Sequence, residues 1–218
     1  MLEVLWLIFV SFTVGLSGAI VPGPVFLVTV SETLRKGKIA GPLIVVGHLL
    51  LEALIMLAIL KGVGATLGSR DAQIMIGYVG GLALILMGSI LLKNAFKINI
   101  SLDLQAKSKN KLTSHGLVAT GILSSGSNPQ FYLWWLTIGL STMNYCISIA
   151  GIYGLAVFII GHAFSDLIWF GLVSYSVEKG KRILNPKAIR LIIFGSAIFL
   201  VFFGATFIYQ ASITFILS

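Results

Sequence analysis

Two short patterns bring titratable side chains into otherwise apolar sequence. Gly47-His48-Leu49-Leu50-Leu51-Glu52 and Gly161-His162-Ala163-Phe164-Ser165-Asp166 each place a carboxylate four residues after a histidine, and the two are offset by 114 residues. Residues i and i+4 lie on one face of a helix, so each pair can hydrogen-bond. Histidine exchanges protons near physiological pH. A His–acid pair in apolar surroundings is therefore a candidate proton or cation carrier, and a structural hydrogen bond between helices is the plain alternative. Two histidines and two carboxylates could also ligate a divalent cation. No thiolate cluster or His-rich tract accompanies them, so no metal and no cofactor is expected. The single Cys146 can form neither an internal disulfide nor a CxxC redox pair.

A second set of candidates interrupts the chain. Val21-Pro22-Gly23-Pro24 and Ser127-Asn128-Pro129-Gln130 fall inside long apolar runs. Proline has no N–H and clashes with the preceding turn, and it biases the residue before it out of helical geometry. Pro22 and Pro24 are expected to free the carbonyls of Gly18 and Ile20, and Pro129 that of Ser125. Freed carbonyls and broken helix ends can hold a solute or ion. Pro22, Gly23, Pro24, Ser127, Asn128, Pro129 and Gln130 are thus the candidate substrate-binding residues. His48, Glu52, His162 and Asp166 are the candidate proton-coupling residues. The plain reading of either break is a kink that shapes packing. Trp134-Trp135 follows the second break, and one ring could face a cavity. His115 sits at the edge of an apolar run, apart from the pairs.

These residues must be positioned by membrane helices. The chain is 57% apolar and only 10% charged, with mean hydropathy +1.02, against about a quarter charged in soluble domains. Six apolar stretches, about 4–34, 40–67, 73–96, 116–142, 148–174 and 188–213, each exceed the roughly 20 residues that cross the hydrocarbon layer. The expected class is all-α, a polytopic membrane protein of six transmembrane helices, the first and fourth broken at their prolines. Met1-Leu2-Glu3 lacks a basic n-region, so the first span reads as retained. Arg35, Lys36 and Lys38 follow span one; Lys93, Lys97, Lys107, Lys109 and Lys111 surround the loop after span three; Lys179, Lys181, Arg182, Lys187 and Arg190 follow span five. These are 13 of the 15 basic residues, with Lys61 and Arg70 on the other side. The positive-inside rule then puts both termini outside a cell membrane. It accounts for the net charge of +8 without a nucleic-acid partner. The expected partners are membrane lipid and a small-molecule or ion substrate.

The basic loop 97–115 divides one transmembrane domain, 1–218, into 1–96 and 116–218. Spans two and five share the Gly-His-acid pattern, and spans one and four carry proline. Spans three and six carry Gly80 and Gly195, then Gly88 and Gly204. Three spans per half is an odd number, so the second half enters from the opposite side: an inverted repeat, as in many secondary transporters. Gly77 and Gly81, spaced as GxxxG, suit helix packing. No phosphate-binding loop is present, which leaves no basis for ATP-driven transport by this chain.

The Pro22-Gly23-Pro24 element, the basic Arg35–Lys38 turn with Gly41, and Asn128-Pro129 in the fourth span resemble the LysE/RhtB family of amino-acid exporters. The likeness covers the six-span plan end to end. It implies proton-driven efflux of amino acids or related metabolites, paired broken helices near the midplane, and a homodimer. Gln130 stands where the family's second signature usually continues with lysine. The reading is a proton-coupled exporter and not an enzyme. A divalent-cation exporter of the same superfamily, an intramembrane enzyme and a non-transporting scaffold are the alternatives.

Overall fold

The computed structural model of the protein describes residues 2–67, 69–97, 114–181 and 186–216. Among these the chain is helical, with no strand. The elements are α1 (Leu2–Ala19), α2 (Pro24–Lys36), α3 (Ala40–Leu60), a single turn α4 (Gly64–Leu67) and α5 (Arg70–Lys97). Then come α6 (Ser114–Gly126), α7 (Pro129–Trp134), a π-helical turn (Trp135–Gly139), α8 (Leu140–Lys181) and α9 (Pro186–Ile216). Five stretches are long and apolar enough to cross a membrane: Leu2–Ala19, Ala40–Leu60, Arg70–Lys93, Pro129–Lys181 and Lys187–Ile216. The protein is a polytopic α-helical membrane protein. The basic loop expected at 97–115 falls almost wholly outside the described residues, as does Arg182.

The 53-residue stretch Pro129–Lys181 would measure about 80 Å if straight, against a hydrocarbon layer of about 30 Å. It doubles back at Ala150–Gly151, where Gly151 takes φ +56°, a left-handed value that glycine reaches without penalty. A Cβ on Gly154 would collide with the carbonyl of Cys146. Eight residues along a straight helix would lie about 12 Å apart, so the two arms fold against each other.

Three helix pairs dominate the packing: α5 with α9, α1 with α8, and α3 with α6. On α1, Ser11 meets Gly161 and Gly15 meets Ser165, so α1 runs parallel to the second arm of α8. Gly121 meets Ile44, and Gly126 meets Leu51, so α3 and α6 are also parallel. Gly77 lies on Ala211, Gly81 on Gly204 and Gly88 on Ala197, an antiparallel seam. Lipid tails are as apolar as leucine, so membrane helices associate by close packing, and small residues permit it. Gly77 and Gly81 serve packing as expected. The supposed match of Gly80 with Gly195 does not extend to their surroundings: Gly80 abuts the Ser127 backbone, and Gly195 has open space around it.

Basic residues collect at one end of the bundle. Thr33 Oγ1 and Ser174 Oγ lie 2.7 Å apart, Gly41 N–H donates to Ser174 Oγ at 3.2 Å, and that hydroxyl donates to the Lys38 carbonyl at 3.0 Å. This ties the end of α2, with Arg35 and Lys36, to the end of α8, with Lys179 and Lys181. Glu32 pairs with Arg35 at 2.5 Å and also with Lys36. At the other end, the Arg70 guanidinium donates to the Thr214 carbonyl.

Two buried apolar clusters stack along the bundle. One holds Leu7, Ile55, Phe131, Trp135, Cys146 and Phe158. The other includes Val25, Ile44, Val45, Leu84, Phe170 and Leu200. On α3 the clusters are separated by the stretch that carries His48 and Glu52, and on α8 by the stretch that carries His162 and Asp166. A polar layer therefore lies between two apolar ones, next to the breaks between α1 and α2 and between α6 and α7.

Candidate functional site

Each break forms where its prolines require it, but the carbonyls ahead of the prolines are mostly reclaimed. Ile20 N–H donates to Leu16 O at 3.0 Å, and Val21 N–H to Gly18 O at 3.3 Å. In the second break Asn128 N–H donates to Ser125 O at 3.0 Å. The expectation of free Gly18 and Ser125 carbonyls is corrected: each helix end tightens into an i→i+3 turn, a common way of satisfying terminal groups. Tyr132 OH takes the Gly126 carbonyl at 2.9 Å.

The two restarting helices differ at their N-termini. On α7, Asn128 Oδ1 caps the Gln130 N–H at 3.1 Å. On α2, Gly23 is the N-cap in extended geometry, and with no side chain it makes no cap bond. Pro24 occupies the first turn without an N–H of its own. The N–H groups of Val25 and Phe26 are thus left for an outside acceptor.

The two His–acid pairs form as spaced, with His48 Nε2 3.2 Å from Glu52 Oε1 and His162 Nε2 3.5 Å from Asp166 Oδ2. They also join across helices. His162 Nε2 lies 3.0 Å from Glu52 Oε1, and His48 Nε2 lies 4.0 Å from Asp166 Oδ2. The result is one ring of four groups, two from α3 and two from α8. Glu52 is 3% exposed, His162 4% and Asp166 2%. Trp135 Nε1 adds a third donor to Glu52 Oε1 at 3.3 Å. Glu52 Oε2, Asp166 Oδ2 and His162 Nδ1 are buried without a hydrogen-bond partner.

Ser125 connects the ring to α6. Its Oγ is 2.7 Å from His48 Nδ1 and 2.8 Å from the Gly121 carbonyl. The hydroxyl has one proton. If that proton points to Gly121, His48 must donate from Nδ1. A bond from His48 Nε2 to Glu52 then requires the doubly protonated imidazolium. If it points to His48, the ring can be neutral. Rotation of one hydroxyl thus tracks the protonation of His48.

Aromatic rings enclose His162. Trp134 stacks on it at 5.2 Å, Phe158 stacks at 5.8 Å, and Trp135 meets it edge-on at 5.1 Å. A Cβ on Gly15 would lie 2.6 Å from His162 Nδ1, and one on Gly18 would lie 3.0 Å from Trp134 Nε1. Both glycines let α1 close over the ring.

A cavity of about 310 Å³ opens beside this cluster. Of the substrate candidates, Gly23, Pro24, Asn128 and Gln130 line it, whereas Pro22, Ser127 and Pro129 do not. His48, Glu52, His162 and Asp166 all line it, and so does Trp134. His115 is exposed at the start of α6. Gly15, Gly18 and the Ser125 hydroxyl escape a reading of the sequence, because small residues in membrane helices are common. Two breaks, a buried ring of ionisable groups and a cavity between them provide room for a small solute beside side chains that can carry protons.

Comparison with known proteins agrees with this architecture. The chain is 26% identical over 204 residues to the Bacillus subtilis (strain 168) protein named "Putative amino acid efflux protein YcgF", covering 93% of this chain and 96% of that one. No solved structure matches it. The family model of the LysE type translocators matches residues 16–211, from within α1 into α9 and across every cavity-lining residue except Gly15, and the chain belongs to that family.

Proposed function

We propose that this protein is a secondary transporter that exports amino acids or related small metabolites across the cell membrane in exchange for protons. The observation that carries the reading is the ring of His48, Glu52, His162 and Asp166, buried yet open to the cavity between two broken helices. Charged groups within a membrane are costly and mark paths for ions or protons. The name of the Bacillus relative, an amino acid efflux protein, supports the direction and the substrate class. The solute is held between Gly23–Pro24 and Asn128–Gln130, and proton exchange at the ring is linked to its exit.

Six spans in two inverted halves accommodate the pairing of the helices. A two-fold axis in the membrane plane exchanges spans one and four, two and five, and three and six. It therefore turns the α1·α8 pair into the α6·α3 pair and returns α5·α9 to itself. Both of the first two pairs are parallel and the third is antiparallel, which is what alternating spans require. The basic end faces the cytoplasm by the positive-inside rule, with both termini outside.

Glu52→Gln and Asp166→Asn are each expected to abolish pH-gradient-driven amino-acid flux in proteoliposomes while leaving the protein folded. Wild-type flux from both variants would overturn the role of the ring. One observation favours a second reading, a divalent-cation exporter: donor atoms of His48, Glu52 and Asp166 lie within 4.8 Å of one another. Stoichiometric Mn²⁺ binding by the wild type, lost in His48→Ala, would decide for it.

A further inference from the structure

The cavity contains more than proton transfer requires. Two carboxylates, Glu52 and Asp166, line it, and among the described residues no lysine or arginine does. The oxygens Glu52 Oε2 and Asp166 Oδ2 are buried without a hydrogen-bond partner. Trp134 borders the same space, and an indole ring attracts a cation. The uncapped first turn of α2, with Gly23, Pro24, Val25 and Phe26, forms another part of the wall. Helix N-termini favour carboxylates through their free N–H groups. The remaining wall, with Phe131, Ile138 and Phe170, is apolar.

We propose that the cavity binds a zwitterionic amino acid with an apolar side chain, its ammonium group on Glu52 Oε2 and Asp166 Oδ2 beside Trp134. Its carboxylate meets the N–H groups of Val25 and Phe26, and its side chain packs on Phe131, Ile138 and Phe170. The proposal rests on the exporter reading and adds the substrate's chemical class. It excludes acidic amino acids, since a second carboxylate would be buried on the apolar wall of Phe131, Ile138 and Phe170, where no lysine or arginine meets it.

The same geometry gives a coupling rule. An ammonium brings one positive charge to the oxygens that protons would otherwise occupy, so solute and proton exclude each other at one place. The titratable groups facing that place are His48 and Glu52 on α3 and His162 and Asp166 on α8. The other polar side chains lining the cavity, Ser17, Ser125, Asn128 and Gln130, carry no charge. Binding of the amino acid therefore weakens as pH falls, because protons load the ring first.

The test uses the purified full chain in lipid nanodiscs and measures binding by calorimetry. The probes are L-leucine, leucinamide (no carboxylate), 4-methylpentanoate (no amine), L-glutamate and Mn²⁺. Leucine is expected to bind and to release protons, more tightly at about pH 8 than at about pH 6. Leucinamide should bind about tenfold more weakly, while 4-methylpentanoate and glutamate should bind at least about a hundredfold more weakly, equivalent to about 2.7 kcal/mol. Asp166→Asn should weaken leucine at least about tenfold. Binding of 4-methylpentanoate as tight as that of leucine would overturn the amine site, and so would binding of Mn²⁺ alone. If Asp166→Asn does not fold, the ligand series on the wild type decides alone. Flux of a mixed amino-acid pool, driven by a pH gradient in proteoliposomes, separates the two claims. Flux with a failed leucine series overturns the amine site only, whereas no flux of any amino acid overturns the exporter reading itself.

Discussion

Replacing Trp135 by phenylalanine tests how Glu52 is held. Trp135 is fully buried, donates Nε1–H to Glu52 Oε1 at 3.3 Å, and meets His162 and Phe158 edge-on. Phenylalanine keeps an aromatic ring there but removes the N–H and one fused ring. A hydrogen bond to a charged group contributes about 1.5–3 kcal/mol, and one this long belongs at the lower end. The void left by the smaller ring costs on the order of 1–2 kcal/mol. Together they predict about 3 kcal/mol of destabilisation, or a fall of roughly 6–12 °C in melting temperature for a chain of this length. Cys146 is the single cysteine and is fully buried, so a thiol-reactive dye reports unfolding directly. A double-mutant cycle with Glu52→Met, which removes the acceptor oxygen, cancels the void and isolates the bond, with an expected coupling of about 1–2 kcal/mol. Coupling below about 0.3 kcal/mol would show that the histidines alone hold Glu52. Trp135→Phe leaves all four titratable groups in place, so proton-driven flux should fall by less than about tenfold.

Other substitutions probe the surrounding packing. Gly15→Ala places a methyl 2.6 Å from His162 Nδ1, so it should displace the ring and abolish proton-driven flux in proteoliposomes, while dye-monitored melting shows a folded protein. Ser125→Ala removes the partner of His48 Nδ1, and the pH profile of transport should shift while substrate affinity at the optimum changes little. Gly81→Leu drives a side chain into the Gly204 carbonyl and should abolish the folded fraction in size-exclusion chromatography. Gly195→Leu, with open space around Gly195, should leave that fraction unchanged. Ser174→Ala orphans the buried Gly41 N–H and should cost about 1–3 kcal/mol in the same melting assay.

Local features of the site were legible in the sequence, and contacts between distant segments were not. His48 finds Glu52, and His162 finds Asp166, because i,i+4 spacing fixes a helix face. The shorter link from His162 to Glu52 joins residues 110 positions apart, and no spacing rule reaches that far. The prolines located both breaks. They overstated the free carbonyls, because proline chemistry describes the lost bond and not the tighter turn that replaces it. The reversal between spans four and five falls at Ala150–Gly151, a few residues past the gap expected between 142 and 148. Apolar residues continue through the reversal, and only Gly151, with its positive φ, allows the chain to turn there. The Trp135 bond and the Gly15 contact depend on how α1, the π-helical turn and α8 meet, which composition does not encode.

The ring also constrains how the protein is made. His48 and Glu52 lie on α3, whereas His162 and Asp166 lie on α8, about 114 residues later in synthesis. At about 5–20 residues per second, α3 waits roughly 6–23 seconds in the membrane before His162 and Asp166 emerge. During that interval His48 and Glu52 have each other, and then Ser125 and Trp135 as those emerge, but not the partners that close the ring. The second half, arriving last, completes the ring.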